Sequence, residues 1–412
     1  MSEKLFEKYA ATEGNEKYEE LIKRHDGLYS RHDDVRSPFA RDYTRILHST
    51  AYRRLKHKTQ VFYNVENDHI CTRMEHVSHV ESVSGTIAKY LGLNDELTRA
   101  ISTAHDLGHA PFGHQGEKIL TEISEEYLGQ PFWHEKNGLR FVDKVELLED
   151  NYKVSRNLNL TYAVRDGIIS HCGEVDENGL KPRNELIDLD NFSFPGQYMP
   201  ATWEGCVVKI ADKIAYVGRD IEDAIALGFI TKKDKDKLVK LAKINDEKVL
   251  NTTVIMHNMV IDICKTSCPE KGISLSEPFL HQLNEIKEFN YEYIYAHPRF
   301  LPYMHYTELV LHELFNCLLQ GFDKENTLRK VYELRDIYGS VYEIFLEYLV
   351  KYCDVDFVNE SGFGYMIGNR DNYKIYGNLD DEKTYITAII DYISGMTDSF
   401  AIRSFQRLLT YS

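Results

Sequence analysis

The sequence predicts an all-α protein. Apolar residues recur at helical spacing within 39–55, 72–90 and 207–227. Asn94-Asp95-Glu96 places short polar and acidic groups where a further periodic run begins, and Gly108 and Pro111 end it. No internal repeat or low-complexity tract interrupts the pattern. A chain of 412 residues with 43% hydrophobic content can bury a sizeable core, as one large helical domain with additions or as two to three domains.

Taken in order, residues 1–35 are rich in Glu, Lys and Arg with spaced aromatics and read as peripheral helices. Arg36-Ser37-Pro38-Phe39 marks a boundary. Tyr43, Ile46, Leu47, Ala51 and Leu55 then keep helical spacing. Residues 59–70 are β-prone and fit a short hairpin or loop. A second helix starts near Thr72, with His76, Val80, Val83, Ile87 and Tyr90 on one stripe. A lone histidine there is most often a satisfied core residue. An amphipathic run follows Trp133-His134-Glu135 through Leu148, and Ala163–Ser170 reads as another helix before His171. Val207–Leu227 is the third informative helix, with Asp212, Tyr216 and Asp220 on one stripe. An unpaired carboxylate at Asp212 would be costly to bury, so a metal or a cation such as Lys209 or Lys213 must offset it. Thr231–Lys248 is a solvated helix or connector, Met256–Gln320 is helical, Asp356–Glu382 is irregular, and Thr384–Leu409 is helical with an interruption at Gly395.

Composition excludes several classes. No apolar run approaches the roughly 18 residues of a membrane span, and Met1-Ser2-Glu3-Lys4 lacks the apolar core of a signal peptide. Seven cysteines without C-x-x-C spacing suit reduced thiols. The expectation is a soluble cytoplasmic protein with no membrane partner. A net charge of −16 argues against a general nucleic-acid coat. Yet Arg36 to Lys58 holds seven Arg or Lys and one acid, Asp42. That run is either a solvated helix face or a phosphate-binding wall that includes Arg36 and Arg41.

The chemistry concentrates in Ala104–Glu117, A-H-D-L-G-H-A-P-F-G-H-Q-G-E. Its fourteen residues hold three histidines (His105, His109 and His114), two carboxylates (Asp106 and Glu117), three glycines and a proline. Leu97, Ile101 and Ala104 put a helix before the His-Asp pair. A helix end carrying such a pair, then a turn rich in His and Glu, suits a metal with acid/base groups beside it. The plainer alternative is a histidine-rich surface turn. With His76 and Asp212, the His105-Asp106 pair makes two imidazoles and two carboxylates from three amphipathic helices. That set suits one octahedral divalent cation with two positions left for water or a phosphate oxygen. Manganese and iron fit best, and magnesium is the ion a nucleotide brings with it.

The order H…HD…D resembles the HD-domain superfamily of metal-dependent phosphohydrolases. The closest likeness is to the deoxynucleoside triphosphate triphosphohydrolases, the dGTPase group. R-S-P-F-A-R-D-Y-T-R-I-L-H-S-T-A-Y-R-R-L-K-H-K-T-Q-V at 36–61, T-R-M-E-H at 72–76, the 104–117 stretch, A-D-K-I-A-Y-V-G-R-D at 211–220 and D-Y-I-S-G-M-T-D at 391–398 carry it. The resemblance implies an HD-domain helical core over 36–230 and a peripheral segment over 1–35. It implies a C-terminal helical region, 231–412, that completes the nucleotide pocket and the oligomer contacts. His76, His105, Asp106 and Asp212 match the metal positions, with Mn²⁺, Mg²⁺ or Fe²⁺ as the ion and Ni²⁺ or Zn²⁺ as ions acquired in purification. His114 and Glu117 match the catalytic His and acid, with His134 a further active-site histidine. Arg73 and His109 would lie by the phosphates and the site, Gln60 and Val61 by the deoxyribose. Lys213, Tyr216 and Asp220 match phosphate and sugar contacts, and Tyr392 falls in a family motif. The implied reaction converts a dNTP, with dGTP among the substrates, to deoxynucleoside and tripolyphosphate. His114 would protonate the leaving 5′-oxygen or, in the opposite assignment, act as base toward water. The resemblance also implies a homo-oligomer, often a hexamer, with dNTP effectors or single-stranded DNA as regulators.

Two departures stand out. Asp212-Lys213 replaces a pair of acids common in bacterial dGTPases, and W-H-E-K-N replaces F-E-G-N. Both tilt the pocket toward the animal dNTPase that carries SAM and HD domains, and away from strict dGTP preference. The rival readings are an HD hydrolase of nucleoside monophosphates or cyclic dinucleotides, and a binding protein with a vestigial HD core.

Overall fold

The computed structural model describes residues 4–27, 34–63, 69–172, 178–242 and 252–409. Its helices are α1 (Tyr18–Leu21), α2 (Pro38–His48), α3 (Thr50–Arg54), α4 (Arg73–Leu91), α5 (Asp95–Ala104), α6 (Gly113–Leu128), α7 (His134–Arg140), α8 (Tyr162–Ser170) and α9 (Trp203–Ala226). They continue with α10 (Lys232–Ala242), α11 (Thr252–Thr266), α12 (Glu277–Asn290), α13 (Leu301–Leu319), α14 (Thr327–Tyr338), α15 (Ser340–Tyr352), α16 (Val355–Glu360), α17 (Glu382–Ser394) and α18 (Asp398–Leu408). Among the described residues the only sheet is the hairpin β1 (Leu147–Glu149) and β2 (Ser155–Asn157), paired antiparallel with Leu148 opposite Arg156. The fold is all-α.

The chain divides into two compact units, and the region 36–230 contributes to both. The first comprises residues 1–47, 60–106 and 159–301; the second comprises 48–59, 107–158 and 302–412. The chain leaves the first unit directly after Asp106.

In the first unit α9 is the axis, packed by α4, α5, α8, α11 and α12. Its 24 residues are buried on nearly all sides, as a central helix requires. Val207, Ile210, Ile214, Val217 and Ile221 meet Ile87, Leu91 and Ile263 in one core. Gly218 lets α11 approach, since a Cβ there would lie 2.9 Å from Met256 Sδ. Phe6, near the N-terminus, belongs to the same core and packs edge-on against Trp203 at 4.9 Å.

Caps place the helices that carry the site. Asn94 accepts the Leu97 N–H at 3.1 Å and starts α5. Thr72 and Glu75 form a reciprocal capping box that starts α4, with the Glu75 carboxylate accepting the Thr72 N–H at 2.8 Å. The α4 stripe differs slightly from the expected one. Val83 is half-buried and Tyr90 is 58% exposed, while Val77, Ala88 and Leu91 take the inner positions. Packing against both α5 and α9 widens the buried face. The run expected as one helix over 39–55 breaks at Ser49, whose hydroxyl caps α3 instead.

In the second unit α15 packs against α14, α17 and α18, and α17 against α6. The run after His134 forms α7, then a π turn over Phe141–Val145, then β1. No strand forms at 59–63 or 69–70. The rest of that β-prone segment, 64–68, the end of the Lys/Asp-rich run, 243–248, and Gly173 lie outside the described residues.

Candidate active site

The first unit brings together His76, His105, Asp106 and Asp212. His76 stands in the first turn of α4, His105 caps the C-terminus of α5, and Asp212 sits midway along α9. His76 Nε2 is 2.9 Å from Asp212 Oδ1 and 3.8 Å from Asp106 Oδ2. His105 Nε2 lies 3.4 Å from Asp106 Oδ1 and 3.7 Å from Asp212 Oδ1. Both histidines are buried.

The donor set fits a divalent metal. His105 Nδ1 is 2.6 Å from the Ser102 carbonyl, which can only accept, so Nδ1 carries a proton and Nε2 is the nitrogen turned toward the carboxylates, where it would ligate a metal. Among the described residues that Nε2 has no hydrogen-bond partner, a costly state for a buried nitrogen unless a ligand completes it. Burial disfavours the His105 imidazolium, but Asp106 and Asp212 outweigh it and raise its pKa to about 9. Burial likewise works against ionised Asp212, yet His105 and His76 hold its carboxyl far below the usual range. The four residues are thus poised around positive charge.

Arg73 opens α4 and donates to Asp106 Oδ2 from Nη1 at 3.0 Å. Its Nε and Nη2 are buried with no hydrogen-bond partner among the described residues, as a site for a phosphate oxygen would be. Gln60 is also buried, and its Oε1 has no hydrogen-bond partner among the described residues; Val61 beside it is half-buried. Lys213 is buried on α9 and Tyr216 is half-buried. Burial raises the Asp220 carboxyl to about 7, and it accepts a hydrogen bond from the Tyr295 hydroxyl.

A second group lies in the other unit. Glu117, in the first turn of α6, accepts the His134 backbone N–H at 2.8 Å and lies 3.0 Å from His134 Nδ1. The His109 ring stacks on His134 at 3.8 Å between centroids. His109 Nδ1 and His114 Nδ1 are each 3.9 Å from Glu117 Oε2. Burial works against the Glu117 carboxylate, but His134, His109 and His114 keep its pKa far below the ordinary value. His114 is the solvent-facing member, with 67% of its side chain exposed.

Glycine explains how this turn closes. A Cβ at Gly108 would lie 2.1 Å from the His134 carbonyl oxygen, and one at Gly116 would lie 1.8 Å from the Pro111 carbonyl oxygen. Phe112 takes a left-handed conformation at φ 66° just before α6. Asp398 accepts its N–H at 2.8 Å, and Tyr303 donates to its carbonyl at 2.9 Å.

Other expected site residues lie elsewhere. Arg36 is exposed and pairs with Asp34 at 2.9 Å; Arg41 pairs with the same carboxylate at 3.3 Å. Tyr392 is on α17 in the second unit, with Phe345 at 5.0 Å and Tyr348 at 5.1 Å between centroids. Two candidates escaped the sequence. His171 ends α8 and lies close enough to His105 and Asp106 to share an ion with them. Its Nδ1 is 2.7 Å from the carbonyl of Ile168, repeating the arrangement of His105 on Ser102. A histidine closing a helix was the available signal. Tyr295 meets Asp220 across 75 residues of chain, with no local signal.

Comparison with known proteins decides the family. The HD domain model matches residues 73–217, a span that contains His76, His105, Asp106 and Asp212. A deoxyguanosinetriphosphate triphosphohydrolase-like protein of Caldanaerobacter subterraneus is 35% identical over 307 residues, covering 74% of this chain and 78% of the relative. The chain belongs to this family of HD-domain triphosphohydrolase-like proteins. Proteins of the same name from Rickettsia bellii and Pelagibacter ubique are also similar. The first is 30% identical over 90% of this chain and 92% of its own; the second is 43% identical over 50% and 52%. Family membership makes this chain an HD-type hydrolase whose His/Asp cluster can hold a divalent metal. No helix among the described residues is long and apolar enough to cross a membrane.

Proposed function

We propose that the protein hydrolyses deoxynucleoside triphosphates, dGTP among them, at the α-phosphorus to deoxynucleoside and tripolyphosphate. One observation carries the reading. Polar atoms of three candidate residues, His105 Nε2, Arg73 Nε and Nη2, and Gln60 Oε1, are buried without a hydrogen-bond partner among the described residues. A metal, phosphate oxygens and a sugar hydroxyl are the groups that would complete them. The relatives' names support the triphosphate substrate.

In this reading His76, His105, Asp106 and Asp212 would hold a divalent ion, which would supply Lewis acidity at the α-phosphate. Arg73 neutralises phosphate charge and, through Asp106, keeps that carboxylate aimed. Lys213 and Tyr216 bind phosphate and sugar. Glu117 holds His134 as a donor at Nδ1, which makes Nε2 its proton-accepting nitrogen. His114, exposed beside Glu117, protonates the leaving 5′-oxygen.

The test is product analysis. Purified protein is incubated with each dNTP and rNTP under Mn²⁺ or Mg²⁺, singly and mixed, and products are resolved by ion-pair chromatography. Deoxynucleoside with tripolyphosphate is expected, with GTP turned over far more slowly than dGTP. Pyrophosphate or monophosphate release would sink the assignment.

A further inference from the structure

Three distant stretches of the second unit interlock behind the turn that joins His109 to His114. Lys58 donates to the His109 carbonyl and, at 3.0 Å, to the Ser394 carbonyl. Asp398 accepts the Phe112 N–H at one carboxylate oxygen, 2.8 Å away, and the Thr59 N–H at the other, 2.9 Å away. Lys58 and Asp398 thus grip the turn from opposite ends, one at a carbonyl and one at an N–H. Each is tied in turn to the other's stretch of chain. Tyr303 adds a third hold through the Phe112 carbonyl at 2.9 Å.

The grip exceeds what closing a turn requires. Lys58 and Asp398 are both buried, and a buried charged group is costly even when its hydrogen bonds are made. Neutral side chains satisfy carbonyl and N–H groups at lower cost. What the pair holds is an unfavourable backbone. Buried Phe112 sits at φ 66°, and Gly113 follows at φ 59°. A left-handed phenylalanine persists only where surrounding contacts over-determine it, and such residues gather at functional sites. This one lies three positions after His109 and two before His114. His109 stacks on His134 at 3.8 Å, and His109 and His114 each reach Glu117 Oε2 at 3.9 Å. A shift at Phe112 therefore displaces two imidazoles together.

We propose that Asp398 and Lys58 are positioning residues for the proton-handling histidines. They fix the 109–112 turn so that His109 stays stacked on His134 and His114 stays beside Glu117. The effect on rate rests on the triphosphohydrolase reading; the effect on the turn does not. The D-Y-I-S-G-M-T-D stretch at 391–398 thereby gains a role, because its last acid acts on a turn 286 residues earlier in the chain.

The full chain with Mn²⁺ is compared with its Asp398→Asn, Lys58→Met and Tyr303→Phe variants. The readouts are peptide-resolved hydrogen exchange, histidine carbethoxylation by diethyl pyrocarbonate followed by mass spectrometry, and dGTP kinetics. Asparagine keeps one acceptor oxygen where the carboxylate offers two. Asp398→Asn is expected to speed exchange over 109–114 and to raise the rate of His109 modification about tenfold, the loss of one charge-assisted contact. His171, buried in the first unit, is the control and should stay unmodified. Its kcat should fall about tenfold, with KM and bound metal at wild-type levels. Lys58→Met should match it, and Tyr303→Phe should show the same pattern at smaller size. If Asp398→Asn does not fold, the other two, which act on the same turn, carry the test. Unchanged exchange and His109 modification in the folded variants overturn the proposal, as does an unchanged kcat beside an active wild type. Equal modification of His109 and His171, or a fall in kcat matched by lost metal, marks general loosening and overturns it too. A wild type that turns over no dNTP sinks the triphosphohydrolase reading instead, and exchange and modification still decide the positioning.

Discussion

The two histidine clusters use the same residue types for opposite ends. In the first unit two carboxylates, buried Asp106 and half-buried Asp212, face two imidazoles whose outer nitrogens converge on them, with one guanidinium alongside. In the second, Glu117 is surrounded by three imidazoles, and Glu135 Oε2 lies 3.5 Å from His134 Nδ1. Carboxylates that converge with imidazole nitrogens can hold a cation; imidazoles ranged around a carboxylate manage protons. The supports differ too. Long helices with capped starts hold the first cluster. The second hangs on a short turn closed by glycines and backbone hydrogen bonds. A cation site tolerates no slack in ligand position, whereas a proton-transfer group gains from one solvent-facing member, His114.

The largest effect should come from dismantling the first cluster. His105→Ala/Asp106→Ala is expected to lower dNTP turnover by about 10³-fold or more and to abolish metal retention. Mass spectrometry of the bound metal checks the second half. Full metal retention in that variant would erase the contrast between the clusters.

Glu117→Gln should cost about 10²-fold in kcat, because His134 loses the anion that orients it. Metal content should stay at the wild-type level. A parallel loss of metal would show that the second cluster is no separate proton device.

Gly116→Ala puts a methyl into the Pro111 carbonyl and should destabilise the chain by about 1–3 kcal/mol. Thermal melting measures it. An unchanged melting temperature would mean the turn is slacker than its geometry indicates.

The smallest effect concerns Asp220, a carboxyl buried in the first unit that accepts a hydrogen bond from the Tyr295 hydroxyl. Its folded pKa of about 7 lies above the unfolded 3.8, chiefly through burial. The folded state therefore holds a proton the unfolded chain has released, and stability is lost as pH rises from about 4 through 7. Asp220→Asn removes that loss. Denaturant titrations should show no gain for the variant at pH 3 and a gain on the order of 1 kcal/mol or more at pH 8. A gain independent of pH would contradict the burial argument.

Much of the frame was legible in the residues. Asn94 and Thr72 sit where α5 and α4 begin, because short polar side chains satisfy the first free N–H groups locally. The period of α9 declared a central helix and put Asp212, Tyr216 and Asp220 at successive turns. His76, His105, Asp106 and Asp212 were nameable from spacing and from the family pattern. The break at Ser49 was harder to read, since a serine within a periodic run either faces solvent or caps a new helix.

By itself, then, the sequence determined the helical class, the main helix starts and the candidate metal ligands, all properties set within a few turns of chain. Tertiary structure alone decided the rest. It paired Tyr295 with Asp220 and set His171 beside His105 and Asp106. It divided 36–230 between two units and brought Lys58 and Asp398 onto the turn between His109 and Phe112. These relations join residues tens to hundreds of positions apart. No local periodicity encodes them, because they arise from which apolar faces bury against which.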